Sequence, residues 1–490
     1  MNNTALKNND NDFIKVKHRG KIFTPDYLAK QILDMGHYVA GNISKKHVID
    51  NSCGDGQFLI QIVDRYCTDF LTRSSDKTQL REELETYIHG IDIENEELEI
   101  CRERCSKVAL LHGISEDIEW DFIHADALLT ERYNGKMDFV IGNPPYVRVH
   151  NLDDNFERVK SFLFGNGGMT DLYIVFYELG INMLNDTGIL CYITPSSFFS
   201  SIAGKNMRNY LADNKVLESV CDLKHFQPFN AASYTAIICL NKKIKSEGVK
   251  YYKYDEAQLL PVYVEMLSYS DFMINGAFYF EDKKSLALLK KILENKNTTD
   301  VAVKNGYATL ADKIFANEFE FDSDYIIPVV KASRGSKGKI FFPYDKSGSL
   351  ISEDELKKDK TMYEYLLENQ SKLMKRSIEK NNKAFWYAFG RSQAIKDTYK
   401  DKLAINSMIR TFEDLKITEA KSGTGVYGGL YITSKAFGAA ELKKALMSEE
   451  FSTYVSLLGK YKSGGYYTFS SKDVKCYLDY KLEKRGDLYA

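Results

Sequence analysis

No run of 18 apolar residues occurs in this 490-residue chain. A membrane-spanning helix needs about that length, so none is expected. No basic-then-apolar leader opens the chain: MNNTALKNNDND is polar, and residues 1–17 read as a disordered tail. Cysteine pairs at zinc-like spacing are missing as well. Of eight cysteines, Cys101 and Cys105 stand four apart on an expected helix, with no second pair to complete a site. Most others lie in apolar runs, so buried free thiols in a reducing compartment are expected, and no metal. There is no fixed-period repeat.

What is present suits a large soluble protein of two domains. Hydrophobic residues make up 44% and charged residues 27%, ordinary values for a globular chain. The net charge of −2 hides an asymmetry: residues 1–260 carry 29 basic and 37 acidic side chains, residues 261–490 carry 37 and 31. A basic half behind an acidic half is compatible with a polyanionic partner held by the second half.

The first half alternates strands and helices. HVID (47–50), YIHGIDI (87–93), DFIHAD (121–126), DFVIGN (138–143), GILCYIT (188–194), LESVCDL (217–223) and TAIICLN (235–241) are short apolar runs, as buried strands of a mostly parallel sheet should be. Leu28, Ile32, Met35 and Val39, and later Phe58, Ile62 and Val63, recur at helical spacing. The expected fold is α/β, a doubly wound sheet that binds ligands beyond the carboxyl ends of its strands. After about residue 255 helix-like stretches alternate with irregular Gly- and Tyr-rich pieces, and a domain boundary falls within 245–275.

VIDNSCGDGQFL (48–59) ends a strand in Asp50, turns through Ser52, Gly54 and Gly56, and opens a helix. Glycines there let the backbone approach a ligand, although a plain strand-helix junction would look the same. The next strand ends in Asp92, placed to accept both ribose hydroxyls of a nucleoside. The third ends in Asp126, which can accept from an adenine amino group. Each acid alone reads as a helix cap; three at successive strand tips point to a nucleoside. A third glycine is missing, with Leu59 in its place, and Asp50 and Asp55 are poor company for phosphates. S-adenosylmethionine, cationic and free of phosphate, fits better than a dinucleotide. Upstream, in GKIFTPDYLAKQIL, Thr24 reads as a helix cap before Pro25, in a turn that would lie over the methionine carboxylate.

The fourth strand runs into Asn-Pro-Pro-Tyr, residues 143–146. An exocyclic amino group on a base is a poor nucleophile, because its lone pair is delocalised into the ring. Two acceptors that hold both amino hydrogens out of the ring plane turn that lone pair toward an electrophile. Asn143 offers a side-chain oxygen and Pro144 a backbone one, and consecutive prolines restrict the second acceptor. Tyr146 supplies a flat face for stacking.

The order FTP, DNSCGDGQFL, GIDIE, ADALL, GNPPY resembles the amino-nitrogen DNA methyltransferases, and most of all the gamma class of TaqI-like adenine enzymes. The resemblance is specific over about residues 18–245 and looser beyond. It implies a Rossmann-like methyltransferase domain over 18–260 and an α+β target-recognition domain over 261–490. It implies a cofactor pocket of Thr24, Asp50, Ser52, Cys53, Gly54, Asp92, Ile93, Asp126, Ala127, Asn143 and Pro145. Asn143 and Pro144 would be the acceptors, with Tyr146 and Phe229 against the extruded base and Phe226 the runner-up to Phe229. Asp stands at 50 and 92 where the family often has Glu. Weaker likeness continues in FWYAFGRSQA (385–394) and KYKSGGYYTFSSKDV (460–474), where Arg391, Gln393, Lys402, Arg410 and Lys462 are candidate DNA contacts. Tyr466 and Tyr467 read as hairpin packing.

The resemblance therefore implies adenine-N6 methylation of double-stranded DNA at a specific sequence, with S-adenosylmethionine as donor, S-adenosylhomocysteine as product and no metal. It implies a monomer in the cytoplasm, associated with the nucleoid and either paired with a separate restriction endonuclease or acting alone. Only about 20 residues precede the first motif, leaving no room there for a nuclease domain. Glutamine methyltransferases share Asn-Pro-Pro-Tyr, but the long basic second half and the Thr-Pro turn argue against them. RNA adenine and DNA cytosine amino methylation are nearer alternatives. Intact Asn143, Asp92 and Asp126 disfavour a non-catalytic relic.

Overall fold

The protein is described by a computed structural model covering residues 23–148, 156–229, 233–378 and 385–482. The expected tail, 1–17, lies outside the described residues. Two compact units divide the chain, Met1–Ala287 and Leu288–Ala490.

All seven expected strands form, as β1 (Val48–Asp50), β2 (Ile88–Asp92), β3 (Asp121–His124), β4 (Met137–Gly142), β5 (Leu184–Pro195), β6 (Leu217–Asp222) and β7 (Thr235–Asn241). They belong to one sheet of order β3-β2-β1-β4-β5-β7-β6. The pairs from β3 to β5 are parallel, while β7 runs antiparallel to both its neighbours. The order reverses between β1 and β4, which opens a crevice at their carboxyl ends.

Two further strands extend this sheet: β8 (Gly248–Asp255) pairs parallel to β6, and β9 (Leu260–Ser268) pairs antiparallel to β8. This hairpin straddles position 260, where the sequence suggested the domain boundary. The first unit runs on to Ala287. The reason is packing: Leu267, Phe272, Phe278, Phe280 and Leu286 are buried in the same core as β5 and β7.

Helices cover both faces. α1 (Asp26–Met35), α2 (Gln57–Leu71), α3 (Lys77–Tyr87) and α4 (Asn95–Leu111) bury Ile32, Phe58, Leu84 and Leu98 against one face. α5 (Phe156–Ser161), α6 (Leu172–Met183) and α7 (Lys205–Asn214) cover the other. Strand residues alternate between the two cores: Val48 and Phe139 point one way, Ile49 and Val140 the other, the two-residue period of a pleated strand. α6, LYIVFYELGINM, is buried almost all round, which suits a helix packed on a sheet and covered in turn. Of the eight free cysteines, seven are buried and Cys476 is half-buried.

At the amino ends of the strands the polar network is structural. Glu218 accepts from His37 at 2.8 Å, Asn241 at 2.8 Å and Lys250 at 3.2 Å. Burial alone would raise its carboxyl, but these bonds and the charges of His37 and Lys250 hold it at about 2. A depressed carboxylate stabilises the fold fully above its unfolded pKa, and that contribution fades as pH falls through the folded value. Glu218→Gln is therefore expected to cost up to about 3 kcal/mol near neutral pH, with the difference from wild type shrinking between pH 4.5 and 2. Urea unfolding at a series of pH values checks this. A pH-independent difference would count against the network.

The second unit is α+β. Its sheets are small: four strands around Lys402–Ile405, three around Ile326–Lys331, and three joining Met408–Ile409, Tyr466–Thr468 and Tyr461–Lys462. Its core holds Phe315, Phe341, Trp386, Tyr387 and Phe389.

Candidate functional site

The candidate site lies at the carboxyl ends of β1, β2, β3 and β4. After β1, Gly54 and Gly56 have φ of +52° and +88°, conformations that side chains resist. A Cβ on Gly54 would meet nothing within 4 Å, so open space lies before this turn. The Ser52 hydroxyl oxygen is buried with no hydrogen-bond partner among the described residues, which favours a ligand on this side. Asp55 pairs with Arg104 of α4 at 2.6 Å, and Arg104 also grips Gln57 at 2.9 Å. This clamp fixes the helix entry. No pattern in the sequence linked residues 49 positions apart.

Asp50 is buried, and that burial pushes its carboxyl well above the usual range. Its Oδ1 accepts from the Ser52 amide at 3.1 Å. A Cβ on Gly142, at the tip of β4, would sit 2.6 Å from that same oxygen. The pair Asp50–Gly142 is thus what lets β1 and β4 carry the turn and the Asn-Pro-Pro-Tyr segment side by side.

Asp92 braces the turn: Oδ2 accepts from the Gly54 amide at 2.7 Å and Oδ1 from the Glu94 amide at 2.9 Å. Each oxygen keeps a second lone pair for a hydroxyl. Ile93 beside it is 58% exposed, an apolar surface at a strand tip. Asp126 caps a short helical turn, Ala127–Leu129, by accepting from Leu128 at 2.9 Å, and Arg158 of α5 approaches it at 3.7 Å. Cys53 and Ala127 are buried beneath the surface.

Asn143 and Pro145 are half-buried and Pro144 is buried. Asn143 Nδ2 donates to the Thr24 hydroxyl at 3.2 Å. This corrects the cap reading of Thr24: α1 starts at Asp26, and no side chain caps it. Thr24 instead accepts one of the two N–H bonds of the amide and so orients it. The Tyr146 hydroxyl donates to the Ile193 carbonyl at 3.1 Å, which holds the ring. Tyr173 and Phe229 meet that ring edge-on at centroid distances of 6.3 and 6.4 Å. Phe226 turns away and stacks on Tyr254 at 4.7 Å. Of the two phenylalanines, then, Phe229 stands beside Tyr146.

Residues 84–229 match the family described as the Eco57I restriction-modification methylase. The chain is 24% identical to the type II methyltransferase M.BstVI of Geobacillus stearothermophilus, across 75% of this chain and 73% of that one. It is 25% identical to the type II methyltransferase M.AccI of Acinetobacter calcoaceticus, across 79% and 72%. It is 22% identical to the type II restriction enzyme and methyltransferase RM.Eco57I of Escherichia coli, across 90% of this chain but only 55% of that one. Its fold is similar to that of the type IIL restriction-modification enzyme MmeI, solved in complex with DNA, with a TM-score of 0.61, 14% identity, and coverage of 91% of this chain and 63% of that chain. Residues 84–229 are thus similar to the Eco57I-like restriction-modification methylases, and the longer matches are to type II methyltransferases.

In the second unit of the chain the candidate DNA contacts separate. Lys402 is corrected: it is buried, and its ammonium donates to the carbonyls of Asp397, Thr398 and Lys400 at 2.8, 3.0 and 2.8 Å. Its three donors are spent inside the fold, so it has none left for a phosphate. Lys402→Met is expected to cost about 2–4 kcal/mol, because buried carbonyls lose their donor. It is expected to leave the salt dependence of DNA binding unchanged, whereas removing a phosphate contact lowers that slope by about 1. Urea unfolding and binding titrations at several salt concentrations separate the two.

Arg391 is exposed, and Gln393 is exposed although its amide donates to the Gly306 carbonyl at 2.7 Å. Trp386, Tyr387 and Phe389, which precede them, are core residues. Arg410 lies over the Tyr466 ring at 4.8 Å and pairs with Asp414 at 3.2 Å. Lys462 is exposed and stands opposite Tyr466 in the same small sheet. Two segments 52 positions apart thus bring Arg410, Lys462 and the Tyr466 ring together.

No helix among the described residues is long and apolar enough to cross a membrane. Among them no group of three His, Cys, Asp or Glu side chains is placed to hold a metal ion.

Proposed function

We propose that the chain is a DNA methyltransferase of the type II restriction-modification kind, transferring a methyl group from S-adenosylmethionine to the exocyclic nitrogen of adenine in a specific duplex sequence. The observation that carries this reading is Asn143, fixed by Thr24 at the tip of β4 beside the β1 glycine turn. The cofactor pocket would be formed by Thr24, Asp50, Ser52, Cys53, Gly54, Asp92, Ile93, Asp126, Ala127, Asn143 and Pro145. The names of the relatives support DNA as substrate, and the basic second unit, Leu288–Ala490, would be the target-recognition domain. A monomer in the cytoplasm, alongside a separate endonuclease or alone, completes the reading.

When bound, S-adenosylmethionine supplies an electrophilic methyl group. The chain's own part is positioning. Asn143 Oδ1 and the Pro144 carbonyl accept the two amino hydrogens and draw the nitrogen toward tetrahedral geometry. Pro144 and Pro145 keep that second acceptor from wandering. Asp92 would take the ribose hydroxyls and Asp126 the cofactor's adenine amino group. Asp50, buried behind the turn, gains stabilisation of its ionised form when a cation lies nearby.

A target adenine must leave the duplex stack, at a cost of a few kcal/mol. Tyr146 and Phe229 recover part of that by stacking on the extruded base. Tyr146→Ala is therefore expected to lower methyl transfer about tenfold more on a paired target than on a mismatched or single-stranded one, given stacking worth about 1–3 kcal/mol per base. Equal losses on both substrates would count against a flipping role.

The deciding experiment incubates the protein with S-adenosylmethionine and unmethylated genomic DNA. Digestion to nucleosides is expected to give N6-methyladenine, and long-read sequencing its sequence context. N4-methylcytosine would overturn the choice of base. Absence of any methyl mark would overturn the methyltransferase reading.

A further inference from the structure

Two of the most exposed apolar side chains in the first unit are Met169, 84% exposed, and Ile202, 82% exposed. Single exposed hydrophobes are ordinary. These two are grouped: a Cβ on Gly168 would lie 3.8 Å from Ile202 Cγ2, and Leu163, also exposed, is on the same loop as Met169.

They are also rigidly mounted. Arg208, itself buried, donates to the carbonyls of Phe198 at 2.6 Å, Ser201 at 2.8 Å and Gly276 at 2.7 Å. That pins the turn carrying Ile202. Gly204 closes the turn where a Cβ would stand 2.4 Å from the Phe198 carbonyl. The neighbouring loop is tied down as firmly. Asn206 donates to the Leu163 carbonyl at 2.9 Å, and Glu178 accepts from the amides of Leu163 and Phe164 at 3.1 and 2.7 Å. Lys160 donates to the Gly168 carbonyl. Anchoring of this kind holds apolar surface in water at a standing cost unless something covers it.

Their place in the fold says what covers them. Arg148, two residues beyond Tyr146, forms a β-bridge with Asp171, two residues beyond Met169, and the Leu172 amide donates to the Val147 carbonyl at 2.8 Å. Two residues on either side of such a bridge bound the Tyr146–Met169 Cα separation at roughly 19 Å. Ile202 follows β5 as the Asn-Pro-Pro-Tyr segment follows β4. Both tips therefore share the carboxyl edge with Asn143. Exposed Arg148 and Lys205, and Lys160 bonded to the Gly168 carbonyl, bring positive charge to the segments that carry the tips, alongside Glu157 and Asp171, and cations there suit phosphates.

We propose that Met169 and Ile202 form a wedge that enters duplex DNA at the base step from which the target is withdrawn. This rests on the function proposed above. Apolar side chains unstack base steps when they insert, and a withdrawn base leaves an apolar gap. The wedge fills that gap and faces the orphaned partner base.

The test uses duplex oligonucleotides bearing the recognition sequence identified from methylated genomic DNA, with the target opposed by its partner or by an abasic site. The double variant Met169→Ser/Ile202→Ser is expected to lose tenfold or more in kcat/KM on the paired duplex and less than threefold on the abasic one. With 2-aminopurine at the target position, the fluorescence rise on binding is expected to fall in parallel. Ile202→Leu, which keeps the apolar bulk, is expected to retain the wild-type values. An equal loss on both duplexes, no loss on either, or an unchanged fluorescence rise would overturn the wedge alone. Failure of the wild-type chain to methylate any DNA would overturn the methyltransferase reading, and the wedge with it.

Discussion

Asn143→Ala is expected to lower methyl transfer by roughly 10²–10³-fold, the effect of deleting one preorganised hydrogen-bond group from a reacting centre. The loss is expected in kcat. The amide oxygen acts most strongly as the amino nitrogen leaves the ring plane, so its removal touches the transition state more than the bound substrate. Stability is expected to change by about 1 kcal/mol, the scale of a hydrogen bond such as that to Thr24 lost at a half-buried position. Asn143→Asp sharpens the test. A carboxylate keeps an acceptor, and Thr24 can reverse its role and donate. The added negative charge, however, follows Gly142, which packs against the buried Asp50. Steady-state rates with equilibrium binding of S-adenosylmethionine separate chemistry from binding. Equal losses in rate and in cofactor affinity would mean that Asn143 holds the pocket together, and a retained rate would remove it from the chemistry altogether.

How far the sequence foretold this can be argued residue by residue. The seven strands were legible because a strand covered on both faces is apolar throughout, and Val48 to Asp50 or Thr235 to Asn241 present no polar residue before their ends. The carboxyl-edge acids were legible for the related reason that polar groups interrupt such runs only where a strand leaves the core. The β8–β9 hairpin was not: lysines interrupt β8, GVKYYKYD, and the apolar run LLPVYV (259–264) belongs to an edge strand that leaves Val262, Tyr263 and Met266 exposed. Lys402 was misjudged because its charge suggested a surface, while the three carbonyls that bury it come from a local turn whose geometry no spacing encodes. Thr24 had the right neighbours for a cap. Its actual partner, Asn143, is 119 residues away. The order of Phe229 over Phe226 came from distance to the last strand alone, and the stacking of Phe226 on Tyr254, in an unforeseen strand, was not legible.

Gly56→Ala is expected to damage both the stability of the first unit and the candidate site. Two costs combine. The backbone at Gly56 has φ +88°, in the left-handed region that costs a side chain roughly 1–2 kcal/mol. A Cβ there would also stand 2.6 Å from Cys101 Sγ and 3.2 Å from Cys101 Cβ. Cys101 is fully buried in α4, so it has no free volume to retreat into, and overpacking of this kind costs typically about 1–3 kcal/mol. The sum, about 2–5 kcal/mol, is a large part of what holds an ordinary domain folded. The damage is also local to function, because Gly56 is where α2 begins and Asp92 holds Gly54 two residues before it. Cofactor affinity is therefore expected to fall together with the unfolding midpoint. Adding Cys101→Ala removes the sulfur but leaves its Cβ and the strained φ, so it is expected to restore part of the stability and no more. A double-mutant cycle measured by urea unfolding gives the coupling directly. Complete rescue would mean that the clash is the whole cost. No rescue would mean that the turn fails through its backbone, and that the close approach of α4 is incidental.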